Sequence, residues 1–281
     1  MKRILVPVDF SPLAHDAYSF ATKIAKAFDS TIVLLRVTEV SADVLLNDEG
    51  DLASNNEVDV DKIREQRADN LKRLEDWKGE SEVKVESVSI YGHSCSKSIL
   101  QVIKQQGADL VIMGTEGNSG IKEIFTNSLT EYISIKSEVP VLSLKCNRDA
   151  LAISEIVVVN DLKQLDQPLP YIKVMQEVLG AKVNLLKIER PSSTMTTEEV
   201  HQRAKHLMEH NEIEHFAVHM VSAYGVEEGV RKYIESNPET AIVAIATKSR
   251  EGLAVLIDGC PSRDLVNHLE MPVYIFQDIH K

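Results

Sequence analysis

Two glycines, a serine and an aspartate carry the chemistry most readable in this chain. Gly114-Thr115-Glu116-Gly117 follows a short apolar run, Leu110–Met113, and nine residues then intervene before Asn127-Ser128. Glycine lets a backbone take positive φ and lets a ligand approach the main chain closely. Successive N–H groups in such a turn form a concave anion nest, and a helix starting near Ser128 would add its unpaired amides and dipole. The chemistry is phosphate binding by main-chain amides. Ser128-x-x-Glu131 is also a capping box, which stabilises a helix start with or without a ligand. Asp9 follows the first apolar run and could orient a metal or water, but a single carboxylate without a partner is a weak basis for acid–base catalysis.

These residues need parallel strands to bring them together, and the pattern supplies them. Arg3–Val8 reads as a strand buried on both faces, and Ser11-Pro12 as an N-cap and first helical position ahead of a helix through Ala14–Phe28. Thr31–Val37 is a second strand. The acidic, polar residues 38–57 read as a long loop, a solvated lid without EF-hand spacing. A helix is expected from about Val58 to Trp77, with Val60, Ile63, Leu71 and Leu74 on one face. A strand over Glu82–Ile90, a helix over Ser96–Gln106, the strand Leu110–Met113, a helix over Ser128–Lys136 and a last strand Val139–Leu144 complete the series. Strand–helix alternation implies right-handed parallel βαβ units.

The same series occurs twice. Val111–Leu144 aligns without gaps on Val243–Phe276, with identities at Val111/Val243, Thr115/Thr247, Gly120/Gly252, Glu138/Glu270, Pro140/Pro272 and Val141/Val273. Ile4-Leu5-Val6 falls on Ile156-Val157-Val158, which sets Asp9 on Asp161. Thr31–Val37 falls on Lys182–Ile188, and Tyr91-Gly92 is matched to Tyr224-Gly225. Domains are therefore expected at 1–146 and 154–281. The second carries Ala246, Ser249, Gly259 and Cys260 where the first has Gly114, Gly117, Asn127 and Ser128, so it is not expected to bind a nucleotide in the same way.

VPVDFS at the start, ADLVIMGTEGNSG in the middle and EVPVL at the end of the first repeat resemble the universal stress protein family, whose ATP-binding members carry G-x2-G-x9-G-[S/T] at this place. The resemblance covers nearly the whole chain, twice. It implies an α/β fold of two tandem doubly wound five-stranded parallel-sheet domains, Rossmann-like and similar to the adenine nucleotide alpha hydrolases. It also implies that Gly114, Gly117, Asn127 and Ser128 surround the phosphates, with Asp9 near the ribose or adenine and the backbone near Val37 reading the adenine edge. Pro7, Met113, Asn118 and Leu129 would complete the lining. The ligand would be ATP or a related adenine nucleotide, with Mg²⁺ as a companion ion. Asn127 departs from the family glycine; asparagine visits the left-handed region readily, yet its side chain competes for phosphate space. The implied role is a nucleotide-binding stress-response module, at most a slow ATPase. The rivals are a nucleotide-free scaffold or homodimeric interaction protein with a closed site, and a metal-dependent hydrolase using the histidine-rich second half. The last strands, each led by a proline, are expected to pair as an internal pseudo-dimer, which leaves association of two chains open.

The remaining features restrict the field. A formal charge of −12 argues against non-specific nucleic-acid binding. No apolar stretch approaches the roughly 18 to 20 residues of a membrane span. The short apolar N-terminus lacks a signal-peptide pattern, and Cys95, Cys146 and Cys260 form no CxxC, so a reducing, cytoplasmic setting is expected. Cys95 at a helix start reads as a structural thiol despite the capacity of such a position to lower a thiol pKa. His206 and His210 could share a helical face with a metal, but no third ligand is fixed by spacing, and surface histidines are the better reading. Neither a GxSxG elbow nor a Walker motif is present.

Overall fold

The computed structural model describes residues 1–52, 60–79, 81–115, 127–145, 153–191, 193–237, 241–247, 255–256, 260–261, 269 and 271–277; at 60, 127, 128, 247, 255, 256, 260 and 261 only the backbone is described. Contacts divide the chain into two units, Met1–Ile133 and Ser134–Lys281.

The first unit runs β1 (Arg3–Pro7), α1 (Pro12–Phe28), β2 (Thr31–Glu39), α2 (Val60–Gly79), β3 (Val85–Gly92), α3 (Cys95–Gln106) and β4 (Leu110–Thr115), with α4 (Asn127–Lys136) beginning in it. Its strands lie in the order β3-β2-β1-β4, all parallel. The apolar runs of β1 and β4 are buried on both sides, as helices on both faces of a sheet demand. Ile4, Leu5, Val6, Val111, Ile112 and Met113 are fully buried. Ser11 caps α1 by accepting from Ala14 N, and Pro12 stands in its first turn, as the sequence suggests. On α2 the inward face holds Leu74 buried and Ile63 half-buried, as the apolar residues predict, but leaves Leu71 outside. Leu71 is 37% exposed, while Asn70 is buried and donates to Thr38 Oγ1 at 3.1 Å. A polar partner on β2 thus selects asparagine over leucine for the inward position.

The second unit contains β5 (Val141–Lys145), β6 (Glu155–Val159), α5 (Ile172–Leu179), β7 (Lys182–Glu189), α6 (Thr197–His210), β8 (Phe216–Ser222), α7 (Val226–Ser236), β9 (Ala241–Thr247) and β12 (Val273–Gln277). An antiparallel pair of β10 (Val255–Leu256) and β11 (Cys260–Pro261) precedes β12 in the chain. The order is β5-β12-β9-β6-β7-β8. All neighbours are parallel except β5 and β12, which pair antiparallel with Leu142 opposite Tyr274. That pairing accounts for Ser134–Lys145 grouping with the second unit, although the sequence repeat places them in the first half. The core under β6, β7, β9 and β12 includes Val157, Leu186, Val230, Val243 and Ile275.

The register corrects one feature of the sequence alignment. Thr38 pairs with Tyr91 in the first unit and Glu189 with Ser222 in the second, so Tyr91-Gly92 corresponds to Ser222-Ala223. The Tyr224-Gly225 match lies two residues later, at the start of α7, and Tyr224 is 83% exposed where Tyr91 is buried. Among the described residues no helix is long and apolar enough to cross a membrane.

Candidate functional site

In each unit the chain leaves the central strand in opposite directions: from β1 towards β2 and towards β4, and from β6 towards β7 and towards β9. A crevice at such a reversal of strand order, beyond the carboxyl ends, is the usual ligand position of an open α/β sheet. The first unit brings Pro7, Asp9, Val37, Met113 and Gly114 to this end of its sheet. β1 makes its last pairing at Pro7↔Leu35, yet β2 continues to Glu39. The β1-facing edge of β2 beyond Leu35 is therefore outside that ladder, which suits recognition of a planar base through main-chain groups.

Asp9 is held in place by its own turn. Its Oδ1 accepts from Ser11 N at 3.0 Å and Ser11 Oγ at 2.6 Å, while Ser11 Oγ accepts from Ala14 N. The carboxylate is thus a fixed acceptor tied to the start of α1. Phe10, between Asp9 and Ser11, sits at φ 66, a left-handed conformation unusual for a bulky residue. Its ring lies under the Arg73 guanidinium at 3.8 Å and meets Trp77 edge-on at 5.6 Å. These contacts hold the strained residue that aims Asp9. The second unit repeats the device: Leu162 has φ 60, and Asp161 Oδ1 accepts from Lys163 N at 3.0 Å.

Gly114 has a structural reason to be glycine. A Cβ there would stand 2.7 Å from the Leu13 carbonyl carbon and oxygen, so α1 packs directly against the end of β4. The equivalent Ala246 meets no such helix start, because α5 begins only at Ile172 and residues 162–171 form a loop. The glycine and the first turns of the helix are absent together from the second unit. α4 begins at Asn127, with Leu129 buried in its first turn. Gly117 and Asn118 lie outside the described residues, as do the side chains of Asn127 and Ser128.

Sequence reasoning passed over a buried cation beside the site. Arg36, on β2, is 8% exposed and donates through Nη1 to Val8 O at 3.3 Å. Burial pushes its pKa down, and Asp9 pulls it back up. Lys187 occupies the same position of the aligned second strand and is 7% exposed. A charge inside two otherwise apolar runs was the available signal.

Other expectations resolve by geometry. Cys95 N donates to Glu39 Oε1 at 2.7 Å, so a carboxylate serves the start of α3. Burial pushes the Cys95 thiol up to about 12, and Glu39 acts in the same direction, so the helix start does not activate it. The described part of the acidic loop is pinned to the carboxyl end of β3 and to α3. Tyr91 N donates to Gly50 O, and Gln101 Nε2 to Asp48 O. His206 and His210 are exposed on α6, and among the described residues no group of three metal-ligating side chains exists.

Comparison with known proteins agrees with this architecture. The model of the universal stress protein family matches residues 1–145. A universal stress protein of Methanocaldococcus jannaschii is 30% identical over 144 residues, covering 51% of this chain and 82% of that protein. Over the whole chain, a universal stress protein structure from Archaeoglobus fulgidus superposes with a TM-score of 0.71 at 17% identity, covering 99% of this chain and 98% of its own. A Pseudomonas aeruginosa structure described as a putative universal stress protein gives 0.63 at 14% identity, covering 99% and 93%. At these identities the structural likenesses establish the fold alone.

Proposed function

The chain belongs to the universal stress protein family, and on that premise we propose that its first half binds an adenine nucleotide, ATP, ADP or AMP, and acts as a nucleotide-responsive binding module in stress adaptation. The observation that supports this reading is the reversal of strand order at β1, with Asp9 just beyond the carboxyl end of β1 and the overhanging edge of β2 beside it. The family includes ATP-binding members. The base would lie along β2 beyond Leu35, Asp9 would accept from the ribose or adenine, and main-chain amides from Gly117 to Ser128 would receive the phosphates. Pro7, Val37, Met113 and Leu129 would supply the walls. Mg²⁺ would enter through phosphate oxygens and water, as that ion usually does. The reading is of a binding protein, with hydrolysis at most slow.

The packing reason for Gly114 favours weighing a second reading, a nucleotide-free interaction protein in which Asn127 fills the phosphate space. Calorimetric titration of the full chain with ATP separates the two. Wild type is expected to bind, Gly117→Val to lose at least roughly tenfold in affinity, and Asp161→Asn to match wild type. Equal affinity in Gly117→Val would refute the site. Absence of heat with wild type, and of any nucleotide in the mass spectrum of denatured protein, would favour the second reading. The antiparallel pairing of β5 with β12 further supports an internal pseudo-dimer of the two sequence repeats.

A further inference from the structure

The second unit keeps the strand overhang and changes its chemistry. β6 makes its last pairing at Val159↔Leu186, and β7 runs on to Glu189. Against the overhang lies a crevice of about 200 Å³, walled by Asp161, Lys163, Lys187, Arg190 and the hydroxyl-bearing residues Ser193 and Thr194.

Two groups in it are buried without adequate partners. Lys187 is 7% exposed, and among the described residues its ammonium reaches the Ile188 carbonyl at 3.5 Å, longer than the roughly 2.7 to 3.2 Å of an ordinary N–H···O bond. An ammonium has three protons to place, and burying it unpaired is costly. Asp161 spends Oδ1 on its turn. Its Oδ2 is buried and makes no hydrogen bond among the described residues, and the Lys163 ammonium stands 3.7 Å away. Burial lowers the Lys187 pKa; Asp161 and Glu189 raise it, while Lys163 and Arg190 lower it further. Three cations therefore share this place with two carboxylates. A bound anion would relieve the repulsion among the cations and give the Lys187 ammonium an acceptor.

We propose that this crevice binds a small hydroxyl-bearing phosphomonoester, its phosphate taken by Lys187 with Arg190, Lys163 and the Ser193 and Thr194 hydroxyls, and its hydroxyl donating to Asp161 Oδ2. The cations and hydroxyls come from the ends of β6 and β7 and from the turn after β7, and a tetrahedral phosphate presents acceptors in as many directions. The volume lies below the roughly 300 to 1,000 Å³ of pockets for drug-sized ligands, which disfavours a nucleoside triphosphate. Side-chain cations here replace the glycine-built nest, consistent with Ala246 and Ser249 at the positions of Gly114 and Gly117. This site is independent of the nucleotide reading of the first half.

The test is calorimetric titration of the full chain, in the Gly117→Val background, with glycerol 3-phosphate, inorganic phosphate and ATP at low salt. Glycerol 3-phosphate is expected to bind at millimolar or better affinity, with inorganic phosphate several-fold weaker. Lys187→Met should weaken glycerol 3-phosphate by at least roughly tenfold while the urea midpoint stays at or above that of the parent, since methionine fills the position without a buried charge. Arg190→Gln, at the half-buried edge of the crevice, provides a second variant, with a loss of several-fold expected. Asp161→Asn should narrow the preference for glycerol 3-phosphate over inorganic phosphate. Unchanged affinity in both Lys187→Met and Arg190→Gln, no binding by the parent, or displacement of glycerol 3-phosphate by ATP would each overturn the proposal.

Discussion

The side chain that Gly114 lacks would project into the backbone of Leu13, 2.7 Å from its carbonyl carbon and 2.9 Å from its Cβ. The end of β4 and the first turn of α1 thus approach to a distance only glycine allows. Leu13 stands immediately before Ala14, whose amide donates to Ser11 Oγ, and Ser11 in turn holds Asp9. A change at Gly114 would therefore disturb the carboxylate without touching it.

Gly114→Ala is expected to destabilise the first unit by about 1 to 3 kcal/mol, the usual range for overpacking. Urea unfolding would measure it. Any loss of nucleotide affinity in this variant should track the loss of stability. An unchanged midpoint would show that α1 can withdraw without cost.

Cys95 is expected to resist alkylation in the native protein up to about pH 9. A Cys146→Ser, Cys260→Ser background isolates its reactivity, with iodoacetamide labelling followed by mass. The native thiol pKa is raised to about 12 from 9.0, so folding favours the protonated form. Its contribution to stability is full below about pH 9 and declines as pH rises towards 12, where the unfolded chain has lost a proton that the native one still holds. Rapid native labelling at pH 8 would contradict the burial.

Asp29 closes α1 at φ 52, and Gly180 closes α5 at φ 62. Asp29→Gly should stabilise the protein by about 0.5 to 1 kcal/mol, because glycine takes the left-handed region without strain and a carboxylate at a helix C-terminus opposes the dipole. A thermal melt would show a rise in Tm.

Tyr274 is fully buried, and its hydroxyl donates to Pro170 O at 2.9 Å, tying β12 to the loop ahead of α5. Tyr274→Phe is expected to cost about 1 kcal/mol, the net worth of one such bond. Hydrogen exchange should show the loss as faster opening of Ile172–Leu179. No change in exchange there would mean the loop is held by other contacts.

The alternation of strands and helices and the Ser11 cap of α1 were legible in the sequence because they depend on local pattern and short-range hydrogen bonds. Features set by long-range packing were less so. The periodicity of α2 put Leu71 inward, but Thr38, far along the chain, recruits Asn70. Tyr91-Gly92 and Tyr224-Gly225 share letters without sharing a place, since register is fixed by pairing along whole strands. Arg36 and Lys187 stood in plain view within apolar strands, yet their meaning depends on which carboxylates the fold brings beside them. The shortened α5 was passed over as well. Residues 162–171 contain Pro168 and Pro170 and polar residues, which together with the loss of Gly114's counterpart mark the missing helical turns.

The β5–β12 ladder has a bearing on truncation. A polypeptide ending near residue 146 would carry β5 with the hydrogen-bonding edge now used by β12 laid bare. Val141, Leu142 and Leu144 are buried in the intact protein, and a bare apolar strand invites an identical neighbour.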